Sequence, residues 1–267
     1  MRNKLKYILM RLLRSHCSRT MIVIVLLLRT SFACVLVSLL LNCMVFAADY
    51  NLYRPDNFSA DNVEDSERVL FILDFSNSMS EYLEGRRKVD LMIDTMKNIL
   101  PNLSPNISVG LRVYGHKMGF TPFEACRASI LINPIAHSNG INVRNSLLDI
   151  KPRGMTPITY SLKQAVKNDF RGFSGQKHII LLTDGGENCD ESPCTYVLEL
   201  IKLRKDIKID VIAFNIDDEE DLAQLECTSL VTSGKFYNAQ TAAELVQSLN
   251  NSVNSYKKVE AKIFTDY

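Results

Sequence analysis

The runs "VLFIL" at residues 69 to 73 and "HIILL" at 178 to 182 constrain this chain more than any other feature. Both are apolar on consecutive positions, whereas a strand with one wet face alternates. Continuous apolar runs of this length belong to strands covered on both faces, as in a parallel sheet. Parallel strands need crossover connections, and the intervening sequence supplies helices for them. In "KVDLMIDTMKNILP", Val89, Met92, Ile93, Met96 and Leu100 share one helical face and Pro101 ends the helix. Pro157 and Pro193 suit the first turns of two more helices, the latter behind Ser192 as a cap. Thr241 and Glu244 form a capping box ahead of Leu245, Leu249 and Val253. Strands are expected near 68 to 74, 108 to 115, 127 to 133, 178 to 184, 208 to 216 and 235 to 238. The alternation implies a three-layer α/β domain, with a doubly wound, mostly parallel six-stranded sheet flanked by helices.

Residues 1 to 47 have a different character. They hold seven basic residues, Arg2, Lys4, Lys6, Arg11, Arg14, Arg19 and Arg29, and no acid, and they end in a long apolar run. This reads as an export signal, with Val45 and Ala47 at the small-residue positions before a cut ahead of Ala48. The alternative is an uncleaved anchor, because residues 30 to 47 nearly span a bilayer and Arg29 stands at its cytoplasmic edge. Cys43 raises a lipid-attachment reading, which the bulk of Asn42 before it disfavours. The main readings place the rest of the chain outside the cytoplasm: periplasmic, on the cell surface or secreted. Residues 48 to 66 are polar, acidic and without period, and read as a linker. Residues 67 to 256 form the folded domain, and 257 to 267 are a tail. Beyond the signal, 24 basic residues (31 less 7) face 30 acidic ones, so this part is near −6. That balance gives no basic stripe for nucleic acid.

Four cysteines follow the signal, Cys126, Cys189, Cys194 and Cys227, an even number in a compartment where disulfides persist. Sequence does not choose among the three pairings. The short loop between Cys189 and Cys194 makes a local bridge the first expectation, and free buried thiols are the alternative. A zinc site lacks a second close Cys or His pair.

The chemistry gathers at strand ends. In an open α/β sheet, ligands bind outside the carboxyl ends of the strands. Asp74 closes the first strand, and Ser76 and Ser78 follow in "DFSNSMS"; Asp184 closes "HIILLTD"; Thr156 precedes a helix in "PRGMTPITY". Two carboxylates and three hydroxyls on one rim, with no imidazole or thiolate, suit a hard divalent cation such as Mg²⁺ or Mn²⁺. Taken singly, each segment also reads as an ordinary Asp/Ser turn, a helix start or a glycine turn.

Taken together, their order and strand contexts resemble the von Willebrand factor type A (vWA) domain from residue 67 to about 255. The D-x-S-x-S of Asp74, Ser76 and Ser78, with Thr156 and Asp184, is similar to that family's metal-ion-dependent adhesion site. The resemblance implies a Rossmann-like fold and five metal-site positions, all filled. It implies Mg²⁺, or Mn²⁺ or Ca²⁺, as the ion, and a protein partner offering an Asp or Glu carboxylate to it. "GLRVYGH", "GMTPI", "TDGGENC" and "FYNAQTAAEL" look like an exported bacterial subgroup. Phe75 and Asn77 stand where smaller residues are commoner, and Phe75 is expected to crowd the rim.

No catalytic motif accompanies these residues. "GFSGQ" fails the nucleophile-elbow pattern, and "SGKF" lacks the spacing and hydroxyl of a P-loop. Among the histidines, His178 reads as structural and His116 falls near the rim. Glu187 is the best general-base candidate, with a solvated loop acid as the plainer reading. The acidic run 217 to 221 lacks the EF-hand pattern and suits a helix start. The expectation is a non-enzymatic adhesion or interaction module. The alternatives are a metal-dependent hydrolase using the same rim and a structural domain stabilised by its ion.

Overall fold

The computed structural model describes residues 67–104 and 107–254. The signal or anchor, the linker and the tail therefore lie outside the described residues. Six strands form one sheet: β1 (Arg68–Asp74), β4 (Ser108–Tyr114), β5 (Ser129–His137), β6 (Lys177–Thr183), β7 (Ile207–Phe214) and β8 (Phe236–Ala239), in the order β5-β4-β1-β6-β7-β8. All neighbours are parallel except β4 and β5, which are antiparallel. A separate hairpin joins β2 (Tyr82–Leu83) to β3 (Arg86–Arg87).

Helices cover both faces: α1 (Lys88–Ile99), α2 (Pro122–Ala125), α3 (Gly140–Ser146), α4 (Ile158–Gln164), α5 (Pro193–Leu203), α6 (Glu219–Val231) and α7 (Ala242–Asn254). Side chains alternate across a strand, so β1 feeds two cores. Val69, Phe71 and Leu73 pack with Met92 and Met96 of α1 and Leu245 and Leu249 of α7. Leu70 and Ile72 pack with Ile158 and Leu162 of α4, Val197 of α5 and Leu225 of α6. This two-sided burial is what the continuous apolar runs demand.

Several local expectations shift. The fifth strand in chain order runs to His137 rather than 133. Its pairing with β4 slips between Val109 and Leu111, and a Cβ on Gly110 would meet Ile135 Cγ1 at 2.7 Å. An edge position and an irregular register admit Pro134, which a central strand would reject. Pro157 is not in the first turn; it occupies the cap position before Ile158. Ser192 caps α5 by position only, without a side-chain bond, while Pro193 takes the first helical position. At α7, Glu244 N–H donates to Thr241 Oγ1 at 3.2 Å. Glu244 Oε2 accepts from Gln240 N–H, one residue before the box position.

Candidate metal site

The chain leaves β1 for β4 on one side and later returns to β6 on the other, so the strand order reverses between β1 and β6. A doubly wound sheet opens its crevice at that reversal. Asp74 ends β1, and Asp184 directly follows β6. Their loops meet through hydrogen bonds. Ser76 N–H donates to Asp74 Oδ1 at 2.6 Å, the Ser76 and Ser78 hydroxyl oxygens lie 2.9 Å apart, and the Ser78 hydroxyl donates to Asp184 Oδ1 at 2.7 Å. Four of the five anticipated residues thus form one chain of contacts.

Thr156 reaches the group through main chain. Ser76 bridges Gly154, and Asn77 N–H donates to the Gly154 carbonyl at 3.0 Å, two residues before Thr156. Asn188 then holds Thr156: its Oδ1 accepts from Thr156 N–H at 2.8 Å, and its amide lies 3.4 Å from Thr156 Oγ1.

Burial and the adjacent Asp184 carboxylate push Asp74 up to about 7, against the lowering bonds from Ser76 and Thr183. Burial likewise raises Asp184, which Ser78 and Lys88 partly offset. Desolvation and the repulsion of Asp74 by Asp184 are both relieved by a proton or a nearby cation. The carboxylate oxygens, with three hydroxyls beside them, are a donor set that fits a hard divalent ion.

Other residues around the rim were not singled out by sequence patterns. The Thr183 hydroxyl lies 2.8 Å from Asp74 Oδ2. Lys88 Nζ sits 3.2 Å from Asp184 Oδ2. Asp221 accepts from Gly186 N–H at 3.0 Å, which gives one member of the acidic run a task beyond starting α6. The rest of the run behaves as a helix start, with Asp218 accepting from Asp221 N–H at 2.9 Å. These partners join distant segments, and no local pattern marks them.

Three expectations are corrected. Phe75 does not crowd the rim: its side chain is fully buried in the core shared with α1. Glu187 is not a solvated loop acid. Its carboxylate accepts backbone N–H groups of Thr159 at 2.6 Å, Cys189 at 2.7 Å and Asp190 at 3.0 Å, which fixes the start of α4. The cysteines pair as Cys126–Cys189 and Cys194–Cys227, not as a local Cys189–Cys194 bridge or free thiols. Cys194 stands in the first turn of α5, which packs on α6 and its Cys227. Cys189 is left to the loop behind β4, with Cα atoms 5.3 Å apart.

That loop, residues 115 to 126, is anchored at both ends beside the rim. Gly115 carbonyl accepts from Gly154 N–H at 2.7 Å at one end, and the Cys126 bridge closes the other. Between them Met118, Phe120 and Phe123 are exposed. His116 follows Gly115 half-buried, its pKa lowered by burial and by Lys117. His178 is buried in β6 with Nε2 3.3 Å from Asp210, the structural role its sequence position suggests.

The von Willebrand factor type A domain model matches residues 69–252. The chain belongs to that family. Among curated relatives, it is 27% identical over 206 residues to "Uncharacterized protein YwmD" of Bacillus subtilis (strain 168), covering 75% of this chain and 90% of that one. It is 28% identical over 196 residues to "Uncharacterized protein YwmC" of the same organism, covering 70% and 85%. Solved vWA-like structures superpose as folds. A von Willebrand factor type A protein from Catenulispora acidiphila gives a TM-score of 0.57 at 18% identity, over 70% of this chain and 42% of that one. Proximal thread matrix protein 1 of the mussel byssus, solved with a zinc-occupied MIDAS motif, gives 0.54 at 19%, over 70% and 45%. The pilus adhesin SpaC of Lactobacillus rhamnosus GG in its open conformation gives 0.54 at 15%, over 72% and 30%. The vWA chain thus spans less than half of each of these solved chains. Among the described residues, no helix is long and apolar enough to cross a membrane.

Proposed function

We propose that this vWA domain is an exported binding module that captures a protein ligand through a Mg²⁺-bridged carboxylate at Asp74, Ser76, Ser78, Thr156 and Asp184. The observation that carries the reading is the continuous contact from Asp74 through Ser76 and Ser78 to Asp184, whose side chains offer only oxygens, at the reversal of strand order. When bound there, a divalent ion supplies a positive centre that accepts one more oxygen ligand from outside. The protein's own part is to hold the donors: Thr183 braces Asp74, Ser78 braces Asp184, and Asn188 fixes Thr156. The exposed Met118, Phe120 and Phe123 beside the rim give a partner apolar surface next to its acidic anchor, which supports a protein ligand. The pilus adhesin among the structural neighbours agrees with that use of the fold. The two disulfides support an oxidising compartment.

The reading is non-catalytic, and the engagement of Glu187 by three backbone N–H groups supports it, since hydrolysis needs a base aimed at the site. Capture from the native envelope with Mg²⁺, with EDTA and with Asp184→Ala tests the proposal. Binding is expected only with Mg²⁺ and an intact Asp184; equal capture under all three conditions refutes it. Turnover of phosphoester or peptide substrates with Mg²⁺ or Mn²⁺, lost in Asp184→Ala, favours the hydrolase instead.

A further inference from the structure

Lys88 is the first residue of α1, and the chain fixes it from behind. The Glu84–Gly85 turn, with φ of 51° and 79°, closes β2 on β3, and Lys88 N–H donates to the Glu81 carbonyl at 2.9 Å. Two positive φ values match the turn that a two-residue hairpin prefers. The side chain then runs inward: it is 6% exposed, with Nζ 3.2 Å from Asp184 Oδ2 and 3.1 Å from Glu81 Oε2.

A buried ammonium is costly unless paired. Glu81, 67% exposed, is a weak partner, whereas the Asp184 side chain is fully buried. Asp184 is consequently held at both oxygens, by Ser78 on Oδ1 and by Lys88 on Oδ2. Sequence patterning hides this contact, because Lys88 looks like an ordinary polar residue opening an amphipathic helix.

The geometry points to Lys88 as a tethered counter-cation of the rim, which neutralises Asp184 when no ion is present and competes with a divalent ion for that carboxylate. The inference rests on the reading of the rim as a divalent-ion site. Ion uptake is then an exchange: Asp184 trades part of an ammonium contact for the metal, and the nearby positive charge opposes the incoming one. The result is a site whose affinity is set below what two unpaired carboxylates would give, so its occupancy follows the external ion concentration.

The test uses the full chain, with Mg²⁺ titrated calorimetrically and melting followed in EDTA and in saturating Mg²⁺. Wild type, Lys88→Met and Glu81→Gln are compared. Lys88→Met is expected to tighten Mg²⁺ binding about tenfold or more. It should also melt lower in EDTA and gain more from Mg²⁺ than wild type does. Glu81→Gln should change the affinity less than about threefold. If Lys88→Met does not fold, Lys88→Gln is held to the same criteria. Mg²⁺ binding by wild type with no gain in the charge-removed variant overturns the role of Lys88 alone. No binding by either protein overturns the metal site and this inference with it. Binding that appears only once Lys88 is replaced supports the competition directly.

Discussion

Gly115 shows how one residue holds the rim together. It follows β4 with a φ of 71°, and its carbonyl accepts from Arg153 N–H at 3.0 Å and from Gly154 N–H at 2.7 Å. A Cβ there would lie 2.5 Å from Ser76 N, between the rim loops that carry Ser76 and Gly154. Gly115→Ala therefore combines a left-handed backbone with a main-chain clash, and should cost about 2–3 kcal/mol in denaturant unfolding. Mg²⁺ affinity should fall with it; unchanged affinity would show that the loops do not depend on this contact. The sequence displays Asp74, Ser76 and Ser78 plainly, because their order at a strand end is local. It does not display that the strand's alternation carries on past Asp74, which puts Phe75 on the core face of Val69, Phe71 and Leu73. Nor does it display Lys88, Asn188 or Asp221, whose partners come from other loops.

Among the elements, β4 and the turn after α4 are joined by a buried ion pair away from the rim. Arg112 Nε and Nη2 donate to the two oxygens of Asp169 at 2.6 and 2.7 Å, and Nη1 donates to Ser129 at 3.0 Å. The side chains are 5% and 2% exposed. Asp169 ends a π-helical turn, Ala165–Asp169, that continues α4. Such wide turns place a side chain where a regular helix would not. Arg112→Met leaves a buried carboxylate without its fork and should cost about 3–5 kcal/mol. Replacing Asp169 by Leu as well should recover much of that loss, because an apolar pair avoids the stranded charge. A double variant no more stable than the single one would assign the cost to packing instead. The helices and strands themselves were legible from apolar period, but this pair was not. Neither periodicity nor turn chemistry links position 112 to 169.

At the scale of the whole molecule, two buried choices set how the domain meets its surroundings. The disulfides tie α5 to α6 and the loop behind β4 to the loop after Asp184, a pairing that needed the packing of α5 on α6 to decide. The second choice is the cluster around Asp210 under α7. Burial alone would raise Asp210, but His178, Ser252 and Lys208 bring it down to about 2. Burial lowers the pKa of His178 from its ordinary 6.5, opposed by Asp210 and assisted by Lys208, so the ring is stored neutral. The unfolded chain then binds a proton more readily than the folded one. The stability contributed by neutral His178 is complete above pH 6.5 and is lost as pH falls through that value toward the lowered folded pKa. Asp210 acts with the same sign lower down: its contribution is present above the ordinary carboxylate range and is lost toward pH 2. Asp74 opposes both, because its raised pKa favours the folded state as protons bind. The melting curve of wild type alone therefore mixes these effects, and a comparison separates them. His178→Leu removes one titration while leaving the rim untouched. Its melting temperature relative to wild type is expected to rise steadily as pH is lowered from 7.5 to about 5, whatever the offset at pH 7.5. A pH-independent offset would mean that the histidine has the same pKa in the folded and unfolded chains, and a relative melting temperature that falls over this range would mean that the Asp210 cluster holds it as a cation.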